Sequence, residues 1–237
     1  MNQGSAAAGH NAPAGLRRIA RIDLNAFTSN ITRLLADEPG LVLDARANAY
    51  GHGAERIVRA ALDAGVTTVR VSPRDGALPG IRRSALMTVP SVRPLVAEAA
   101  YGLDGESEPV MTVVGEVIAV KPTEAGAGVS YGYTYRTESN TTLALVGLGY
   151  ADGVPRLSSN RASVTIGHSL LPLVGRVAMD QFVVDCGDVT PSVGDEVTLW
   201  GVSSIVSPTA IEWAEQTERS PLELTAGLAN RVERVYS

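Results

Sequence analysis

Lysine occurs once in these 237 residues, at Lys121, against 19 arginines. Any chemistry that needs a primary amine falls to Lys121, because a guanidinium stays protonated and is no amine nucleophile. Asn48-Ala-Tyr-Gly-His-Gly53 lies between a predicted strand and a predicted helix. At such a junction α/β folds place ligands, glycines admit a phosphate, and the following helix N-terminus favours an anion. Tyr50 adds a hydroxyl. The same string also reads as an ordinary strand-to-helix turn with His52 on the surface. Ser130-Tyr-Gly-Tyr-Thr-Tyr135 gathers three tyrosines. A tyrosine, with a pKa of about 10, acts as a base only where its surroundings lower that value; the other reading is aromatic packing. Gly147 to Arg156 (GLGYADGVPR) is dense in turn residues and reads alone as a hairpin loop. Gly175 to Gln181 (GRVAMDQ) reads as a strand entry in which Arg176 pairs with Asp180. Arg93 suits a phosphate, a ring nitrogen or simply the surface. His10 and His168 have no neighbours that suggest a metal site, and Cys186 is the one cysteine. Neither a metal nor an internal disulfide is expected.

The elements that position these strings fall into two kinds. A strand from Ile19 is followed by a helix with Leu24, Phe27, Ile31, Leu34 and Leu35 at helical spacing, ended by Pro39-Gly40. Leu41–Ala45 reads as an apolar strand and Ala54–Ala64 as a helix closed by Gly65. Val66–Ser72 and Ser84–Val89 read as further strands. This is an α/β pattern that implies parallel pairing. After Gly105-Glu-Ser-Glu-Pro109 the chain reads as strands: Val110–Val120, Thr142–Gly147, Ala162–Ile166, Leu170–Val174, Gln181–Asp185 and Glu196–Trp200. Their spacing implies an antiparallel sandwich or barrel. Ser207-Pro208, the Thr209–Glu212 capping-box spacing and Ser220-Pro221 announce two late helices. The expected division is a disordered tail over 1–15, an α/β part over 16–108 and a β part over 109–237.

The composition excludes some partners. Twenty basic against 25 acidic residues give a net charge of −5, a poor balance for binding nucleic acid. No run approaches the ~18–20 apolar residues that span a bilayer, so no membrane partner is expected. Met1–Gly15 has neither the basic nor the apolar region of a secretory signal. With the single cysteine, a cytoplasmic setting is expected.

Taken together the strings resemble alanine racemase, a fold-type III pyridoxal-phosphate family. EAGAGVSYGYTY (Glu124 to Tyr135), GYADGVPR (Gly149 to Arg156), VGRVAMDQ (Val174 to Gln181), VGDEVTLWG (Val193 to Gly201) and RVERVY (Arg231 to Tyr236) follow the family's signatures in order. Ile19–Asn30 and Ala47–Gly53 resemble its opening strand and cofactor loop. The resemblance implies a partial (β/α) barrel followed by the family's C-terminal antiparallel β domain. Only about three βα units fit before residue 108, whereas a complete barrel takes ~250 residues; the middle of the barrel is read as missing. Ala100-Tyr-Gly-Leu103 resembles the last barrel strand.

The same resemblance implies residue roles. Tyr131 matches the family's second catalytic base, Met179 and Asp180 match substrate-pocket residues, and Tyr150 an entrance residue. Tyr50 matches a phosphate contact and Arg93 the cofactor-ring arginine. Arg46 stands where the family carries its Schiff-base lysine, Asn48 where it carries an aspartate. Leu95 replaces a phosphate-binding glycine, and Leu222 a phosphate-binding tyrosine. The implied reaction is interconversion of L- and D-alanine for peptidoglycan, with pyridoxal 5'-phosphate as cofactor. The implied assembly is a homodimer. The loss of the lysine points instead to a chain that is inactive alone. Its alternative role is that of a non-catalytic paralogue donating Tyr131 to a full-length racemase in a mixed dimer.

Overall fold

A computed structural model of the chain describes residues 16–73, 77–91, 93–202 and 206–237. The expected tail over 1–15 lies outside the described residues, as does Val92 of the Val92-Arg-Pro94 string.

Most of the described chain builds on one long strand. β1 (Ile19–Ile22) leads into helix α1 (Leu24–Asp37). Later in the chain, β6 (Met111–Thr123) runs through Pro122, three residues beyond the expected end. β6 pairs along its first half with β1 and with β13 (Glu196–Trp200), and along its second half with β9 (Thr141–Val146). β10 (Ser163–Ile166), β11 (Ser169–Val174) and β12 (Phe182–Asp185) complete the order β13-β10-β11-β12-β9-β6. The additional β13–β6 pairing closes this order into a six-stranded antiparallel barrel. Register shifts at Val117/Ala119 and Thr198/Trp200 supply the bends, as bulges do at barrel corners. Of the two alternatives read from the strand spacing, the structure takes the barrel. β14 (Glu233–Tyr236) lies parallel to β1 on the outer flank of β6. Thus β1, expected to open the α/β part, belongs to the sheet of the β part.

The α/β part is a separate four-stranded parallel sheet. β2 (Val42–Asp44), β3 (Val69–Arg70), β4 (Leu86–Met87) and β5 (Leu95–Val96) lie in the order β4-β3-β2-β5. Helix α3 (Ala54–Asp63) makes the crossover from β2 to β3. The seven residues 88–94 carry the chain from one edge strand to the other. Parallel crossovers normally need a dozen or more residues; here the strands are two residues long, so little backtracking is required. The sheet is open at both edges. Ala100-Tyr-Gly-Leu103, expected as the last strand, lies in turns, and the strand is Leu95–Val96. Gly102 explains this: its φ is +67° and a Cβ there would meet the Glu108 carbonyl oxygen at 2.0 Å. The chain must turn at that point.

Side chains join the two sheets into one core that holds residues from both sides of position 108. Asp23 caps α1, accepting from the N–H groups of Asn25 and Ala26 at 2.9 Å each, and Phe27 and Ile31 are fully buried on its inner face. Asn30, buried on the same face, brackets Glu108, donating to its carbonyl at 2.8 Å and accepting from its N–H at 3.0 Å. In helix α4 (Ala210–Gln216) the N-cap is Thr209, locked reciprocally with Glu212, rather than Ser207. Ser220 caps helix α5 (Pro221–Ala226) as expected. Among the described residues no helix is long and apolar enough to cross a membrane.

Trp213 of α4 packs against Trp200 at 5.2 Å between ring centroids, and its indole N–H donates to the Ser163 carbonyl at 2.8 Å. Both rings are fully buried. Replacing Trp213 by Ala leaves a cavity and an unpaired carbonyl, and is expected to cost about 3–5 kcal/mol in urea unfolding. A loss below about 1 kcal/mol means that α4 does not seal the barrel.

Candidate functional site

The end of β2 is built by an unusual backbone. Ala47, Asn48, Ala49 and Tyr50 have φ of 51°, 57°, 53° and 48°. The helical segment α2 (Arg46–Tyr50) is therefore left-handed over most of its length. Left-handed residues other than glycine cost roughly 1–2 kcal/mol each, so the run needs external support. It has it from every side. The Ala47 N–H donates to Ser72 Oγ at 3.1 Å, and Asn48 Oδ1 accepts from the Ala54 N–H at 2.8 Å, capping α3. Arg234 Nε donates to the Gly51 carbonyl at 2.9 Å, and the Tyr236 hydroxyl to the His52 carbonyl at 3.1 Å. Gly51 is required because a Cβ would meet the Thr225 carbonyl oxygen of α5 at 2.1 Å.

Within this frame Arg46 is paired. Its Nε and Nη2 lie 2.9 and 2.5 Å from Asp44 Oδ1 and Oδ2, and the Tyr50 hydroxyl donates to Oδ2 at 3.0 Å. Asp44 is buried. Burial alone raises its pKa, but the Arg46 guanidinium, the Arg46 N–H and the Tyr50 hydroxyl outweigh burial and hold the carboxyl below its ordinary value. Burial, and next the Asp44 charge, raise the Tyr50 phenol. The buried Tyr101 donates to the Asp44 carbonyl at 2.9 Å and stacks on His52 at 4.6 Å.

His52, which one reading put on the surface, is fully buried. Its Nδ1 faces the carbonyls of Ala49 and Tyr50 at 3.0 and 3.1 Å. Both are acceptors, so Nδ1 carries the proton. Arg93 is exposed and donates to Thr68 Oγ1 at 2.8 Å. Leu95 lies on edge strand β5, and Leu222 on α5, which packs against the left-handed run. Lys121 is exposed on β6.

Tyr131, Tyr150, Arg156, Arg176 and Met179 line a different place, an open depression of about 400 Å³ on the β part. None of the residues around Arg46 takes part in it. Tyr131 is 72% exposed, and Tyr133, Tyr150 and Met179 are exposed beside it. The loops that carry them are stapled through backbone. The N–H groups of Tyr150 and Ala151 donate to the carbonyls of Ala178 and Met179 at 3.0 and 2.9 Å. Ser130 Oγ donates to the Arg176 carbonyl at 2.7 Å. Gly149 permits this approach, since a Cβ would meet the Met179 oxygen at 2.3 Å. Asp180 pairs with Arg231, at 2.6 Å, rather than with Arg176. Arg231 Nε also reaches the buried Asp152 at 2.7 Å, so one guanidinium ties Asp180 to the Tyr150–Asp152 turn. Tyr135 turns inward to Asp185 Oδ2 at 2.7 Å; burial and that carboxylate push its pKa up to about 12.

Residues 110–236 match the family model described as alanine racemase, C-terminal domain. The chain belongs to the alanine racemase family. The alanine racemase of Thermobifida fusca is 39% identical over 192 residues, covering 75% of this chain and 51% of that one. The crystal structure of alanine racemase from Streptomyces lavendulae superposes with a TM-score of 0.83 at 25% identity, covering 94% of this chain and 98% of that one. That from Bartonella henselae, described with covalently bound pyridoxal phosphate, shares the fold at a TM-score of 0.81 and 21% identity, covering 95% and 100%. By sequence the chain spans about half or less of the curated relatives it matches.

The sequence reading missed Asp44, Arg231, Arg234 and Tyr101. Asp44 had a signal: an acid ending the otherwise apolar Leu41–Ala45 stretch. The other three lie in strings already singled out, Tyr101 in Ala100–Leu103 and Arg231 and Arg234 in Arg231–Tyr236, but their partners are distant in the chain and no role could be read for them.

Burial lowers the His52 pKa to about 4, against 6.5 in an exposed chain, with the two carbonyls opposing that fall. The unfolded chain therefore binds the extra proton first as pH falls. Stability is full above about pH 6.5 and declines by about 3 kcal/mol by pH 4. His52→Asn, which keeps a donor for the carbonyls, is expected to flatten that decline in urea titrations at pH 4 to 7. An unchanged slope refutes the assignment.

Proposed function

We propose that this chain is an alanine racemase family member without racemase activity of its own, which presents its Tyr131 face to a second subunit. The reaction served is the family's interconversion of L- and D-alanine for peptidoglycan, in the cytoplasm. The second subunit is a full-length racemase, whose barrel receives Tyr131 beside Met179, Asp180 and Tyr150; another copy of this chain is the competing partner. The division after residue 108 belongs to this reading, residues 109–237 forming the docking part.

The exposure of Tyr131 carries the reading. A tyrosine 72% exposed, on a loop tied by Ser130 Oγ to the Arg176 carbonyl and flanked by exposed Tyr133 and Met179, has the character of an interface anchor. The second support lies at the end of β2. Pyridoxal phosphate does not fit the residues there. Position 46 offers a guanidinium and no primary amine, and both Arg46 and Tyr50 are engaged by the buried Asp44 carboxylate. Lys121, the one lysine, is exposed on a strand of the other sheet.

The test mixes purified chain with a full-length alanine racemase and follows the species by native mass spectrometry. A 1:1 complex is expected, weakened about tenfold by Tyr131→Ala, which corresponds to an anchor worth about 1–2 kcal/mol. The isolated chain is expected to racemise no alanine with added cofactor. Separate species at every ratio, or self-dimers that never exchange, refute the mixed assembly.

A further inference from the structure

The clamp around Asp44 does more than record a lost lysine. Oδ1 accepts from the Arg46 N–H and Nε at 3.2 and 2.9 Å; Oδ2 accepts from Nε, Nη2 and the Tyr50 hydroxyl at 3.1, 2.5 and 3.0 Å. The carboxylate thereby takes up the two groups at this spot that would receive a phosphate. A phosphate brought to the Tyr50 hydroxyl meets the Asp44 charge at hydrogen-bond range, a like-charge contact in a buried place. The clamp also fixes one short stretch at three points: Asp44 is the last residue of β2, Arg46 stands immediately before the left-handed run that begins at Ala47, and Tyr50 is the fourth residue of that run.

We propose that the Asp44–Arg46–Tyr50 clamp has taken the place of the cofactor in this chain: it holds the end of β2 by an internal ion pair and closes the spot to phosphate-bearing aldehydes, so that a lysine at position 46 does not reopen it while Asp44 is charged. The inference rests on Arg46 as the counterpart of the family's lysine, and not on the partner assembly. Joining an amine to an aldehyde forms a C=N bond and releases one water, and only the neutral amine attacks. A carboxylate two residues away, already placed for a bidentate contact, keeps a lysine ammonium protonated and bound.

The test uses the full chain as wild type, Arg46→Lys, Asp44→Asn, and Arg46→Lys combined with Asp44→Asn or with Asp44→Val. Each is incubated with pyridoxal 5'-phosphate, reduced with borohydride and mapped by mass spectrometry. Exposed Lys121 is the internal reference for non-specific labelling. Labelling at position 46, relative to Lys121, is expected at least tenfold higher in a double variant than in Arg46→Lys alone. Asp44→Asn is expected to lower the melting temperature by about 5 °C without cofactor, and millimolar cofactor is expected to leave the wild-type melting temperature unchanged. Equal labelling of the single and double variants overturns the proposal, as does absence of label at 46 in a double variant that still melts cooperatively. If neither double variant folds, the wild-type melting curve decides: a rise with cofactor overturns the proposal, and no rise supports it. Complex formation with a full-length racemase is read separately, so either idea can fail alone.

Discussion

Four consecutive left-handed residues between Arg46 and Gly51 set the terms for much of this structure. At roughly 1–2 kcal/mol each, such a run exceeds what one or two hydrogen bonds return. Its supports come from widely separated segments: Ser72 after β3, Arg234 and Tyr236 on β14, and Thr225 on α5. Arg234 illustrates the demand. All its hydrogen-bonding nitrogens point at carbonyls, of Gly51, Leu228, Ala229 and Val232, so it brings the end of the chain to the end of β2. The constraint thus ties the small parallel sheet to the barrel, which is why the core runs through both without a break.

The two places that carry chemistry differ in how their polar groups are spent. Around Asp44 the donors are turned inward and satisfied, and the charges cancel. Around Tyr131 the loops are tied by backbone bonds and by the Ser130 hydroxyl, which leaves the side chains of Tyr131, Tyr133 and Met179 exposed. The first arrangement stabilises the chain as it stands. The second holds large apolar side chains in water, which gains nothing for an isolated chain and is characteristic of a surface meant to be covered. The two clusters therefore answer different physical demands: one is satisfied within the chain, the other is left for solvent or a neighbour.

Much of this was legible in the residues. The period-2 stretches from Val110 to Trp200 gave the barrel strands nearly in place, because alternation and turn residues are local signals. The helix from Leu24 and its inner face, Phe27 and Ile31, followed from spacing. What escaped was non-local. Nothing within Ile19–Ile22 says that it pairs with β6 and β14 rather than with β2. The last parallel strand fell on Leu95–Val96, two residues without their own pattern, while the aromatic Ala100–Leu103 string drew attention although Gly102 bends it. At the site, the motif strings located Tyr131, Tyr150 and Met179 together, since each sits on its own signature loop. Arg46 was legible as a departure from the resembled motif, but not as the partner of the buried Asp44 carboxylate.

The four-stranded parallel sheet is open, yet its central strands are fully paired. In a complete barrel, strand order returns on itself and leaves no edge. Here β5 pairs directly with β2, on the side opposite β3, so β2 keeps a neighbour on each side and the open edges fall on β4 and β5. Phe27 and Ile31 of α1 and Ile57 and Val58 of α3 are fully buried in the same core as Leu43 of β2 and Val69 of β3. At the end of β2 one carboxylate, one guanidinium and one phenol satisfy each other. β2 thus keeps hydrogen-bond partners on both sides and all three of its residues buried, which is what lets so small an open sheet hold the end of β2 in place.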